Sequence, residues 1–141
     1  MSRGPDPRPP APVVTVLFDH PDRRYDPGDL VTVRYRIDGL GDEVVRAVEH
    51  SLLWYTEGKG EEDLGVQFFE RSEAVPRDAD AMASFAARLP ASPLSYEGVI
   101  VKIRWCVRIR VFFRAGRDFV SEHVCEVGGL PPARAVAAEA S

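Results

Sequence analysis

Between residues 99 and 114 the chain alternates without interruption. Val99, Val101, Ile103, Trp105, Val107, Ile109, Val111 and Phe113 take every second position, and Lys102, Arg104, Arg108, Arg110 and Arg114 sit among the others. A period of two is the strand period, because successive side chains of a strand point to opposite faces. One face of this segment is therefore apolar and the other cationic. At about 3.3 Å per residue a straight strand of this length would exceed roughly 50 Å, so the spacing predicts a bend or a passage between two sheets. Burying its eight apolar side chains, at roughly 1.5 to 3 kcal/mol each, would make it the spine of the core.

The following run, Asp118 to Val127, can pair with it antiparallel in either of two face assignments, which differ by a one-residue slip. With Ala115-Gly116-Arg117 as the loop, Arg114 faces Asp118, Arg110 faces Glu122, and Glu126 lies on the diagonal to Arg108. Phe119, His123, Cys125 and Val127 then point inward. A two-residue loop would instead bury Glu122 and Glu126, each costly unless paired. The first register is expected, although it leaves Gly116 in mid-loop, where the commoner three-residue hairpin places glycine last. It turns Cys106 outward and Cys125 inward, so no disulfide joins them.

Other segments carry the same pattern between Gly, Pro and Asp clusters. Val31, Val33, Tyr35 and Ile37 alternate with Thr32, Arg34 and Arg36, after the turn Tyr25-Asp26-Pro27-Gly28-Asp29. Val13 to Phe18, Leu64 to Phe69 and Ala83 to Leu89 are shorter strands. Val44 to Tyr55 is a longer one, whose Arg46, Glu49 and His50 point to a bulge or an edge. Ser72 to Ala81 leaves room for a helical turn. These elements predict an all-β chain: a single immunoglobulin-like antiparallel β-sandwich of about seven strands.

A length of 141 residues suits one domain, and 45% hydrophobic with 28% charged residues excludes a wholly disordered or fibrous chain. Residues 1–12 hold Pro5, Pro7, Pro9, Pro10 and Pro12 and are expected to form a disordered arm. The folded part is expected over 13–130, with a flexible Ala-rich tail at 131–141 after Pro131 and Pro132. No run approaches the ~20 apolar residues of a membrane span, and the first dozen residues lack an apolar signal segment. A cytoplasmic location and no integral membrane span are expected. The net charge of -4 gives no reason to expect nucleic acid.

Two segments together resemble a known family. Tyr25-Asp26-Pro27-Gly28-Asp29-Leu30-Val31 resembles the Y-x-P-G-[ED]-x-[VL] turn of arrestin-like domains. Phe85 to Val107 is similar to their second signature through Leu89-Pro90, Pro93, Ser95-Tyr96-Glu97-Gly98 and Ile103-Arg104-Trp105-Cys106-Val107. Here Leu94 intervenes between Pro93 and Ser95, and Trp105 stands where the family has tyrosine. The likeness covers about residues 13–130. It implies an arrestin-like sandwich, as in arrestins, the arrestin-fold subunit of retromer and bacterial sporulation-control proteins, and a non-catalytic protein that binds or organises other proteins. Those relatives carry two sandwiches in tandem, so their inter-domain polar core and phosphate sensing do not carry over. A homodimer would restore the two-lobed shape.

Residues bearing chemistry are sparse. His20, His50 and His123 are isolated, and Cys106 and Cys125 form no CxxC pair. Asp19, Asp22, Asp26 and Asp29 crowd one loop, but Arg23 and Arg24 neutralise it and the spacing fits no EF-hand. Gly58-Lys59-Gly60 runs into Glu61-Glu62-Asp63, which would repel a phosphate. No catalytic group, metal or cofactor is expected. The candidate site is the cationic stripe: Arg108 and Arg110 are expected to meet acidic neighbours, whereas Lys102 and Arg104 have none in the expected register. Guanidinium forks on such a face would take a protein partner or an acidic peptide. The expected function is a non-catalytic protein-interaction or scaffold module. The alternative is a carbohydrate-binding sandwich, which requires Trp54 or Tyr55 to be exposed and coplanar with a neighbouring ring.

Overall fold

Every regular element among the described residues is a strand. In chain order these are β1 (Val13–Phe18), β2 (Arg24–Tyr25), β3 (Leu30–Asp38), β4 (Val45–Gly58), β5 (Leu64–Ser72), β6 (Ala83–Arg88), β7 (Tyr96–Glu97), β8 (Val101–Phe113) and β9 (Asp118–Val127). The structure is a computed structural model and describes residues 11–60, 62–73 and 82–128. The proline-rich arm up to residue 10, residues 74–81 of the stretch considered for a helical turn, and the Ala-rich tail lie outside them.

The strands form two sheets. The small one runs β1-β3-β6; the large one runs β2-β9-β8-β4-β5, with β7 also paired to β8. All pairings are antiparallel except the short β2–β9 pair. β8 lies at the centre of the large sheet, and its odd-numbered side chains Trp105, Val107, Ile109, Val111 and Phe113 are all 1% exposed or less. They pack with Val31, Val33, Tyr35, Phe85 and Ala87 from the small sheet. Between the sheets, the Tyr35 hydroxyl donates to His50 Nδ1 (2.8 Å) and His50 Nε2 donates to Glu70 (2.8 Å). The His50 ring stacks on Phe85 with centroids 4.3 Å apart. Burial holds the His50 pKa below the ordinary 6.5, against the opposing pull of Glu70.

Three details differ from the sequence expectations. First, β8 neither bends into the second sheet nor includes its expected first residue. Val99 and Ile100 are 61% and 67% exposed in the bend before it, and Val101 and Ile103 are half-buried. The reason is coverage, since the small sheet's strands hold 6, 9 and 6 residues against 13 in β8.

Second, the face assignment of β9 is as expected but its register is displaced by two residues. Arg108 faces Glu122, Arg110 faces Val120 and Phe112 faces Asp118. The loop is Arg114-Ala115-Gly116, closed by hydrogen bonds from Gly116 N to Phe113 O (3.0 Å) and from Phe113 N to Arg117 O (2.9 Å). Gly116 has φ 103°, a conformation that only glycine adopts readily, so it takes the last loop position. Arg114 thus falls in the loop and not opposite Asp118, and its backbone N–H donates to Val44 O (2.9 Å).

Third, of the two alternatives for β4, a bulge or an edge, only the first holds: it is bulged at Val45/Ala47 against β8 and at Leu52/Leu53 against β5, and it runs inside the sheet and not along its edge.

The motif residues act as fasteners. The Asp26-Pro27-Gly28-Asp29 turn is clasped by the end of β6, with Arg88 donating to Gly28 O (2.8 Å) and Leu89 N to Asp29 O (2.8 Å). Pro90 ends that strand because proline has no N–H to continue a ladder. Pro93 O accepts from Trp105 Nε1 (2.9 Å), and Ser95 Oγ accepts from Val127 N (2.9 Å). A Cβ at Gly98 would lie 2.4 Å from both the Tyr96 ring and Val101 O, so the turn into β8 requires glycine.

Candidate functional site

The even-numbered side chains of β8 stand on the outer face of the large sheet, where each cation of the stripe has an acidic partner. Lys102 lies 2.8 Å from Glu97, and Arg104 lies 3.0 Å from Glu97 and 3.6 Å from Glu57. Arg108 meets Glu122 at 2.7 Å and Arg110 meets Asp118 at 2.6 Å. Glu126 pairs with Arg24 at 3.2 Å, and not with Arg108. The expectation that Lys102 and Arg104 lack partners is thus corrected. β7 lies beside β8 with Glu97 directly opposite Lys102. Chiefly through the Lys102 hydrogen bond, the Glu97 carboxyl is held below its ordinary pKa.

Between the charged rows runs an apolar one. Val66, Leu53, Cys106 and Val124 stand in register across β5, β4, β8 and β9. Leu53 and Cys106 have no exposed surface, whereas Val66 is 53% and Val124 44% exposed. Cys106 does point outward, as expected, but it is sealed on that face. Burial pushes its thiol up to about 12, with Glu122 and Arg108 close enough to act on it. On either side of this row, Leu64 and Phe69 of β5 are also half exposed. Nearby, the guanidiniums of Arg46, Arg71 and Arg110 gather over Phe112 at 5.9, 4.8 and 4.8 Å from its centroid. Sequence reasoning missed this row because its members come from four strands and pattern within one strand reveals only two of its faces.

A groove of about 280 Å³ opens where β9 leaves β8 to pair with β2. Tyr96, Arg104, Val124 and Glu126 line it together with Arg24 and Glu97.

The remaining candidates are scattered. Trp54 packs against the core from the inner face, while Tyr55, the next residue on the strand, stands on the outer one; the two rings form no common platform. In the acidic loop, Asp19 accepts from the Tyr25 hydroxyl (2.7 Å) and Thr32 N (3.1 Å), Asp22 from Arg24 N (3.1 Å), and Asp29 from Asp26 N (2.9 Å). Their oxygens are thereby engaged in holding the loop. Among the described residues no group of three or more His, Cys, Asp and Glu is arranged to hold a metal ion.

The fold has a counterpart among solved structures. Spo0M, a sporulation control protein from Bacillus subtilis, superposes with a TM-score of 0.60 at 14% identity, covering 86% of this chain and 51% of Spo0M. The fold is an all-β, arrestin-like sandwich. The chain spans about half the length of Spo0M, and the likeness is one of fold. No protein-family profile and no curated protein matches the sequence.

Proposed function

We propose that the chain is a non-catalytic protein-interaction module that binds through the outer face of its large sheet. The observation that carries this reading is the set of exposed apolar side chains on that face, Leu64, Val66 and Phe69 of β5 and Val120 and Val124 of β9, on either side of Lys102, Arg104, Arg108 and Arg110 with their carboxylate partners. Exposed apolar side chains interleaved with matched charges are the make-up of a protein-interface surface, where the apolar contacts carry most of the energy. The charges already neutralise one another, so an acidic peptide would have to displace Glu97 or Glu122 from them. The partner is therefore a folded protein surface, which can cover apolar and charged side chains together; a second copy of this chain is one such partner. Among the described residues no helix is long and apolar enough to cross a membrane, and a cytoplasmic setting fits this role. That a neighbour in fold is a sporulation control protein agrees with a regulatory binding role.

The test is capture from native lysate with quantitative comparison of variants. Val120 and Val124 are 46% and 44% exposed, so Val120→Asp/Val124→Asp should leave Tm within a few degrees while removing the captured partner. Leu17→Asp on the opposite sheet, 44% exposed, should leave capture intact. Equal capture by all three proteins would overturn the assignment of the face.

A further inference from the structure

β5 ends the large sheet, and among the described residues no strand pairs with its outer edge. An edge strand beside which no further strand is paired is a template for an added one, and among the described residues β5 offers this edge along residues 64–71. Leu64, Val66 and Phe69 are 49%, 53% and 55% exposed along it. The strand is also anchored, because Gln67 at its bulge donates to Arg88 O of β6 (3.0 Å).

Charge distinguishes this edge from the others. Glu62 and Asp63 precede the strand and Glu70 and Glu73 close it, while its one cation, Arg71, is shared between Glu49 (3.0 Å) and Glu73 (3.8 Å), so the segment keeps an excess of carboxylates. Glu70 accepts from a histidine whose pKa is depressed and which is therefore neutral at pH 7. On the opposite edge, by contrast, Asp118, Glu122 and Glu126 of β9 are each matched by an arginine, and β1 carries no charge at all.

We propose that β5 accepts an added strand from a basic, apolar segment of the partner. Main-chain hydrogen bonds to the open edge would supply affinity. Apolar residues at alternate positions would continue the Leu64, Val66 and Phe69 face, and Lys or Arg near the ends would meet Glu62 and Asp63 at one end and Glu70 and Glu73 at the other. A second copy of β5 fits poorly here: antiparallel pairing centred on Phe68 sets Asp63 against Glu73 and Val66 against Glu70. The proposal rests on reading the chain as a binding module and specifies how the β5 side of its binding face is used.

The test is a titration of ¹⁵N-labelled protein with three capped nine-residue peptides. They share alternating Val and Thr and differ in carrying Lys, Ser or Glu at their ends. The Lys peptide should bind about tenfold more tightly than the Ser peptide, as two or three exposed ion pairs allow. It should perturb amides of residues 62–73 and lose its advantage in high salt. Glu62→Lys/Glu73→Lys leaves one carboxylate and one ammonium at each end and should abolish the advantage of the Lys peptide, and Leu17→Asp on the small sheet should leave it unchanged. Equal binding of the three peptides, perturbation centred on β1 or β9, or a dimer joined through β5 in place of peptide binding would overturn strand addition. Loss of strand addition while lysate capture still depends on Val120 and Val124 would leave the broader reading standing.

Discussion

Replacing Tyr35 by Phe removes one oxygen from the interior and tests whether the hydrogen-bonded path across the sandwich helps to hold the sheets together. Tyr35 and His50 are 3% and 4% exposed. Without the Tyr35 hydroxyl, His50 Nδ1 stays buried with no donor, a loss of about 1 to 3 kcal/mol. For a domain of this size that lowers Tm by roughly 2 to 12 °C. His50→Phe keeps a ring stacked on Phe85 and frees Glu70, whose side chain is 57% exposed and reaches water. In that background Tyr35→Phe removes a hydroxyl that has already lost its partner, so its cost should fall near zero. Urea unfolding followed by tryptophan fluorescence on the wild type, both single variants and the double variant gives the coupling energy. The geometry predicts about 1 to 3 kcal/mol of favourable coupling. Additivity within about 0.5 kcal/mol would show that the bond between the sheets contributes nothing specific.

Two further outcomes follow from buried titratable groups. His50 and His123 both have pKa values held below 6.5, chiefly by burial. As pH falls through that value the unfolded chain binds protons that the folded chain refuses, so this stability is fully present above about pH 6.5 and declines below it. Denaturation midpoints at pH 7.5 and 5.5 should differ more for the wild type than for His50→Phe, and equal differences would contradict the assignment. Cys106 and Cys125 are both buried, with thiols pushed up to about 12. Both should react with a disulfide reagent only on unfolding, and stoichiometric labelling of the native protein within the mixing time would refute the sealing of the outer face at Cys106.

The core was legible in the sequence where one strand carried its own evidence. Trp105 to Phe113 declare two faces by alternation alone, and both faces are as the pattern implies. Where a feature depends on the partner, the pattern is silent. Val99 continues the alternation, but whether it is buried depends on how far the small sheet reaches, and that is set by turns some seventy residues earlier. The β8–β9 register shows how charge can mislead. The expected register and the observed one, two residues apart, both give acidic residues an arginine, because Arg104, Arg108, Arg110 and Arg114 all lie on one face, so charge matching cannot choose between them. The φ preference of Gly116 can, and it selects the register observed. Glu97 sits on a strand of two residues, too short for periodicity to reveal. The carboxylate that neutralises Lys102 and Arg104 was therefore hidden in what reads as a turn.

Amide hydrogen exchange on the protein alone tests the open β5 edge most directly. Inside the large sheet residues 48–55 of β4 and 105–112 of β8 are paired on both sides, so these stretches should exchange slowest and, away from the bulges of β4, without alternation. Along residues 68–71 no strand among the described residues pairs with one side of β5, so fast and slow amides should alternate. Alternation there, with uniform protection in β8, is the predicted result. Uniform protection along β5 would mean that the edge is already occupied and would contradict the account.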